Sequence, residues 1–418
     1  MKNILTLLVF ILVSQISFAQ EFDVNLQLRP RFEFRNGYKN LLSENQDATS
    51  FVSQRSRLNL DFKNEALQFK FSLQNIRVWG DVPLLSTSDK NGVAIFEAYG
   101  DYQLNKKFRF RIGRQVLSYD NQRILGEVDW AQQGQSHDAA LVTWLPKERQ
   151  RLDLGFALNS DKENLFEVPY EVNNYKSMQF AWYHIKFTSA ELSLLFLNTG
   201  YEFENPSAVR ETQYLQTFGS YFKFDKNNWF GDAAAYGQVG KRNDATTEAW
   251  YAAANLNYKI SEILKIGLGA EYLSGKDMDD SSSKLKSFTP LFGTNHGFNG
   301  SMDYFYVGNH QNSVGLADLF GKFTYSPGKL DVSAIAHIFS SAANVIDENN
   351  EKRSKYLGTE IDLKGSYKIR KDMALSLGYS QMFGEPGLEI LKGGDASRIQ
   401  NWAWLAISFH PRLFSMTK

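Results

Sequence analysis

The chain contains no cysteine. That excludes disulfides, thiolate metal sites, a cysteine nucleophile and the lipidated cysteine of a lipoprotein. Charge of neither sign is in excess, with 46 Lys plus Arg against 46 Asp plus Glu, which argues against a nucleic-acid partner. After residue 20 no run approaches eighteen consecutive apolar residues, so membrane-spanning helices are excluded. G-x-S-x-G, H-E-x-x-H and P-loop motifs are missing, and the six histidines are scattered. No enzymatic activity and no cofactor are expected. Glu97 and Asp101 share a strand face but lie over ~13 Å apart as i and i+4, too far for paired-carboxylate chemistry. His296, His310 and Asp303 match no metal-ligand spacing.

What the chain does have is a rhythm of breaks. About eighteen strand-like segments are separated by gaps that alternate short and long. Asn64-Glu65, Asn105 to Lys107, Thr188-Ser189, Ser261-Glu262 and Pro327-Gly328 are short. Asn36 to Ser50, Gly80 to Gly92, Asp120 to Ser136, Asn159 to Tyr175, Tyr201 to Glu211, Lys241 to Thr246, Gly275 to Asn312, Ser340 to Ser354 and Glu385 to Arg398 are long. Soluble sandwiches have no reason to sort turns this way, whereas an outer-membrane barrel has tight periplasmic turns and long extracellular loops. The expected fold is therefore an all-β transmembrane antiparallel β-barrel of about eighteen strands, with sixteen to twenty as the range.

The first residues fit export. Lys2, the apolar run Ile4 to Val13 and Ser17-Phe18-Ala19 have the order of a signal peptide cleaved after Ala19. Residues 1–19 are read as this leader and 20–418 as a single barrel domain, without an N-terminal plug domain of the TonB-gated kind. A location in the outer membrane of a Gram-negative bacterium follows, with lipid and the barrel-assembly machinery as partners and a monomeric state expected.

Period-two alternation is cleanest at the start. Phe22, Val24, Leu26, Leu28, Phe32 and Phe34 share one face, and Asp23, Asn25, Gln27, Arg29, Arg31, Glu33 and Arg35 the other, so one face meets lipid and one meets water. Aromatic residues such as Phe108, Trp144, Trp229, Tyr258 and Tyr325 crowd the strand ends beside the short turns, as an interfacial girdle does.

Ten of the eighteen arginines lie between residues 29 and 123. Parity points Arg29, Arg31, Arg55, Arg57, Arg109 and Arg111 into the lumen. Guanidinium is permanently charged and forks onto carboxylates, and low-dielectric walls focus its field on anions. Glu33, Asp61, Glu97 and Asp101 share that face and either partly or largely neutralise the arginines. Eighteen tilted strands enclose a backbone diameter of roughly 35 Å, too wide for side chains to fill. The stretch from 275 to 312, acidic at first and then aromatic and glycine-rich from Phe288 to Tyr306, is the expected plug.

Several segments resemble the alginate export family of outer-membrane porins: Leu28-Arg29-Pro30-Arg31-Phe32-Glu33-Phe34-Arg35-Asn36-Gly37-Tyr38, Gln54-Arg55-Ser56-Arg57-Leu58, Arg77-Val78-Trp79-Gly80-Asp81, Gly113-Arg114-Gln115 and Gln122-Arg123-Ile124-Leu125-Gly126. Pro290-Leu291-Phe292-Gly293-Thr294-Asn295-His296 is similar to a loop segment of that family. The resemblance implies an eighteen-stranded monomeric barrel with an electropositive lumen that passes a uronate polysaccharide. It also implies pore-lining roles for Arg29, Arg31, Arg55, Arg57, Arg77, Arg114 and Arg123. The function expected is a channel for alginate-like or related anions; a nonspecific diffusion porin and a closed adhesive barrel are the alternatives.

Overall fold

The computed structural model describes residues 20–170, 172, 174–205 and 207–417, so the proposed leader lies outside the described residues. Extended segments dominate. They are β1 (Gln20–Asn36), β2 (Thr49–Asn64), β3 (Leu67–Val78), β4 (Ala94–Gln103), β5 (Phe108–Gln115), β6 (His137–Trp144), β7 (Gln150–Leu158), β8 (Ser177–Lys186) and β9 (Ala190–Glu204). The second half adds β10 (Arg210–Lys226), β11 (Trp229–Arg242), β12 (Ala245–Lys259), β13 (Leu264–Leu273), β14 (Leu316–Tyr325), β15 (Leu330–Ser340), β16 (Tyr356–Arg370), β17 (Met373–Gly384), β18 (Gln400–Phe409) and β19 (Arg412–Thr417).

Each strand from β2 to β18 pairs antiparallel with the one before it, and β1 pairs with β2 on one side and with both β18 and β19 on the other. β18 and β19 form one terminal strand interrupted near Pro411, which has no N–H to give the ladder. The sheet thus closes as an eighteen-stranded antiparallel barrel without free edges. The residues after Phe409 complete the seam, since Phe22 and Val24 pair with Met416 and Phe414.

Burial follows the pleat. Arg31, Glu33, Arg55 and Arg57 are buried, while Phe32, Phe71, Ile112, Leu268 and Leu363 point out and are exposed. Outward apolar and inward polar residues are the inverse of a soluble core, and they fit a barrel whose outer face meets lipid. The only α-helix among the described residues, α1 (Pro386–Lys392), is short, and none is long and apolar enough to cross a membrane. Crossing is by strands.

The strands in the middle of the chain are longer than their hydrophobic runs. The gap read as Lys241 to Thr246 is a two-residue hairpin, with Asn243 and Asp244 both at positive φ as such a turn requires. The gap read as Tyr201 to Glu211 shrinks to 205–209 because β9 and β10 continue pairing as far as Glu204 and Arg210. Polar residues hydrogen-bond a ladder as well as apolar ones do, so hydropathy understates strands that outrun the lipid.

Candidate functional site

The wall of β1 and β2 concentrates positive charge. Their register sets Arg29 opposite Arg55, Gln27 opposite Arg57 and Arg31 opposite Ser53, all on the inner face. Like charges directly opposite repel, so such a wall requires counter-charge. Part of it comes from a loop. Asp129, in the segment between β5 and β6, accepts from Arg29 Nη1 at 3.1 Å and from Arg55 Nη2 at 2.7 Å. Burial pushes the Asp129 carboxyl up, but the charges of Arg55 and Arg29 outweigh it and hold it below its usual range. Arg31 donates to Glu33 at 2.9 Å and to the Trp130 carbonyl at 2.7 Å, and its guanidinium lies 3.8 Å from the Trp130 ring centroid. Glu33, fully buried, also receives Arg35 and the indole N–H of Trp402. Arg57 donates to Gln74 at 2.7 Å and covers the ring of Phe96.

On β4 and β5, Arg109 and Arg111 both bind Asp101, the latter at 2.7 Å. Glu97 takes Lys70 at 3.1 Å, and Asp61 stands in register with the same lysine. Of the acids expected to pair with arginine, only Glu33 and Asp101 do so. Glu97 and Asp61 face a lysine instead because β3 lies between them.

Two residues assigned to the lumen through the resemblance are elsewhere. Arg77 sits opposite Gln54 and shares a face with Asn75, so it is on the outer face at the loop-side rim, paired with Asp89. Arg114 likewise points outward and pairs with Asp138 at 2.8 Å. Parity explains both, since each is an odd number of positions from an inward neighbour: Arg77 from Gln74, and Arg114 from Arg111. The residue before Arg114 must be glycine, because Gly113 has φ +123° and a Cβ there would lie 2.3 Å from the Ala98 carbonyl oxygen.

Arg123 is not on the wall but in the segment between β5 and β6, which folds into the barrel. It is 2% exposed and donates to Glu271 at 3.1 Å and to Asn299 at 2.6 Å. Those partners introduce the second inward element, residues 274–315. The amide of Phe292 donates to the Ile124 carbonyl at 3.0 Å, and the amide of Gly126 donates back to the Phe292 carbonyl at 2.9 Å. Leu125 and Phe292 form a parallel bridge between the two loops. Phe288, Met302, Tyr304 and Phe305 are buried, so the aromatic part of this segment packs as a core.

The far side of this double loop rests on an acidic wall that the sequence reading did not single out. The amides of Met302 and Ser301 donate to Glu360 at 2.8 Å and Asp362 at 3.2 Å, and Asn299 donates to Glu271 and Asp318. His337 bonds Asp318 at 3.0 Å. The loops therefore bridge an arginine wall and a carboxylate wall. Each of β13, β14 and β16 contributes only one or two of these acids, so no local pattern in the sequence marks them.

Two cavities flank the bridge. One, of about 440 Å³, opens toward the long loops and is bordered by Arg31, Arg35, Lys39, Tyr38 and Tyr306. The other, of about 380 Å³, opens toward the short turns. His296 borders both. Its ring stacks on Trp130 at 4.4 Å, and its Nδ1 lies 2.8 Å from Asp303, which Tyr38 also bonds. His310 is apart, bonded to the Gly315 carbonyl, and no metal-holding cluster occurs among the described residues.

A sequence model of alginate export proteins matches residues 20–397. No curated protein sequence matches the chain. Among solved structures, the outer membrane protein OpdK of Pseudomonas aeruginosa is 11% identical with a TM-score of 0.63, covering 95% of this chain and 99% of that one. OccAB4 of Acinetobacter baumannii is 10% identical with a TM-score of 0.64, covering 94% and 98%. A second structure of OpdK, with vanillate, is 12% identical with a TM-score of 0.60, covering 95% and 99%. At these identities the likeness is one of fold.

Proposed function

This chain belongs to the alginate export family and is an outer-membrane β-barrel channel; on that premise we propose that it passes anionic saccharides, alginate-like or related, through its arginine wall. The observation that carries this reading is the source of the counter-charge. Arg29 and Arg55 share the carboxylate of Asp129, which belongs to a loop and not to the barrel wall. A carboxylated polymer offers the same group to the same two guanidiniums, so it replaces the loop without leaving buried charge unpaired. OpdK, a neighbour in fold, was crystallised with vanillate, itself a carboxylate. The proposed leader, Met1 to Ala19, would deliver the chain across the inner membrane.

The test is the reversal potential of single channels in a salt gradient. Anion preference is expected, and replacing Arg55 and Arg57 by glutamate should move it toward cations. Cation preference in the unaltered protein overturns the reading.

A further inference from the structure

The arginines are largely spoken for by acids, by Gln74 or by loop carbonyls, yet three lumenal lysines are not. Lys223 on β10, Lys322 on β14 and Lys364 on β16 border the 380 Å³ cavity on the short-turn side of the bridge. None of the three has an ion-pair partner among the described residues, although other lumenal lysines such as Lys70 do. The acids that border the same cavity are already engaged. Asp225 holds Lys259 at 3.1 Å, Glu271 holds Arg123, Asp232 accepts from Asn255 at 3.0 Å, and Asp362 takes Ser380 and the Ser301 amide. The donors left open in this cavity are therefore the lysine ammonium groups, while Asp232 keeps acceptor capacity beside them.

We propose that this cavity is a docking site for a carboxylated sugar unit, with Lys322 and Lys364 holding the carboxylate. The register supports a shared grip, because Lys322 faces Ile335 and Lys364 faces Ser333, two positions along the intervening strand β15. Their side chains converge on the same side of that strand. The rest of the lining separates a sugar acid from a simple anion. Asp232 and Asn257 present acceptors suited to hydroxyl groups, and the rings of Phe298 and Phe320 offer apolar faces to a pyranose. A halide or sulfate has no hydroxyl to give those acceptors. The mixture of lysine, carboxylate, amide and aromatic ring matches a ligand that carries one carboxylate among several hydroxyls. The volume lies in the range of small-molecule sites, of order 300–1,000 Å³.

This inference deepens the proposed function and rests on it, so the experiment separates the two. The full-length protein in a planar bilayer is challenged with trigalacturonate from either side, with maltotriose and sulfate as controls. Trigalacturonate added on the short-turn side should block current where maltotriose and sulfate do not. Lys322→Gln with Lys364→Gln should raise its half-blocking concentration about tenfold or more, as expected for losing a charge-assisted contact. Block from the long-loop side should be unaffected by the pair. Unchanged short-turn-side block in the double variant overturns the lysine site while leaving the channel reading intact. Failure of trigalacturonate to block the unaltered channel from either side overturns both. Heat-modifiable gel mobility reports that the variant is a folded barrel, and calorimetric titration of trigalacturonate in detergent gives a second readout of the same tenfold loss.

Discussion

Arg55 is fully buried in the barrel wall, and its Nη2 donates to Oδ1 of Asp129 at 2.7 Å, although 74 residues separate the two. The two partners are held in different ways. Arg55 is fixed by the ladder of β2, whereas Asp129 is carried by a loop and keeps about half of its side chain accessible. The pair is a latch between the wall and a loop folded into the lumen.

Replacing Asp129 by asparagine should weaken that latch by about 1–3 kcal/mol, because a hydrogen bond survives while the opposing charge is lost. The loop should leave the wall more often, and the arginines it covered should face the lumen. Single-channel recordings should show higher conductance and stronger anion preference than in the unaltered protein. Identical recordings would mean that the loop does not depend on this carboxylate.

Acid should mimic that substitution. A detached carboxylate titrates near about 3.9, while in the latched state Arg55 and Arg29 outweigh the effect of burial and hold Asp129 below its usual range. The latch is therefore at full strength above the detached value and is lost as pH falls through the lower one. Conductance followed from pH 7 down to 3 should rise at the acid end. Asp129→Asn should remove the part of that rise that belongs to the latch.

The barrel is legible in the sequence because period two survives in nearly every strand, and Arg31 beside Phe32 already separates lumen from lipid. The segment around Phe288 to Tyr306 is legible as a packed element because no free loop carries so many rings. The loop holding Asp129 is not. Between Asp120 and Ser136 it offers only a few apolar side chains among polar ones, and its partners Arg29, Glu271 and Phe292 lie about 100 or more residues away. Arg77 and Arg114 carry the opposite lesson. Motif likeness placed them in the lumen, while counting positions along β3 and β5 would have turned them outward.

Glu33→Gln should be among the most damaging single changes in the wall. Glu33 is fully buried and receives Arg31, Arg35 and Trp402 together, so its loss leaves buried guanidinium charge without a partner, at about 3–5 kcal/mol. Urea-dependent folding into lipid vesicles, followed by tryptophan fluorescence, should show that drop. A change below about 1 kcal/mol, the scale of an exposed pair, would mean that water reaches this cluster.

The lipid face can be probed on the wall formed by β13 to β16. Leu268 points outward from β13 and is 72% exposed, so Leu268→Arg should destabilise the barrel by about 2–4 kcal/mol near mid-membrane. Ser366 on β16 points inward opposite Asp331, and Ser366→Arg should change stability by no more than about 0.5 kcal/mol. The same vesicle titration checks both, and equal costs would contradict the register of this wall.

The two inward loops can also be locked, because the chain has no cysteine of its own to interfere. Leu125 and Phe292 are partners in a parallel bridge, and neighbouring extended segments lie about 4.7–4.9 Å apart, within the span of a disulfide. Leu125→Cys with Phe292→Cys should oxidise spontaneously and tie together the piece latched to the arginine wall and the piece resting on the carboxylate wall. If passage needs the loops to part, the oxidised double variant should conduct poorly and admit no oligouronate, and a reductant should restore both. If passage needs only the latch at Asp129 to release, the joined loops can still swing as one body on the acidic wall, and oxidation should leave conductance unchanged. Adding Asp129→Asn to the locked pair then decides the matter. Conductance that rises in the locked triple variant assigns the gate to the arginine side, whereas conductance that stays low until reduction assigns it to the contact between Leu125 and Phe292.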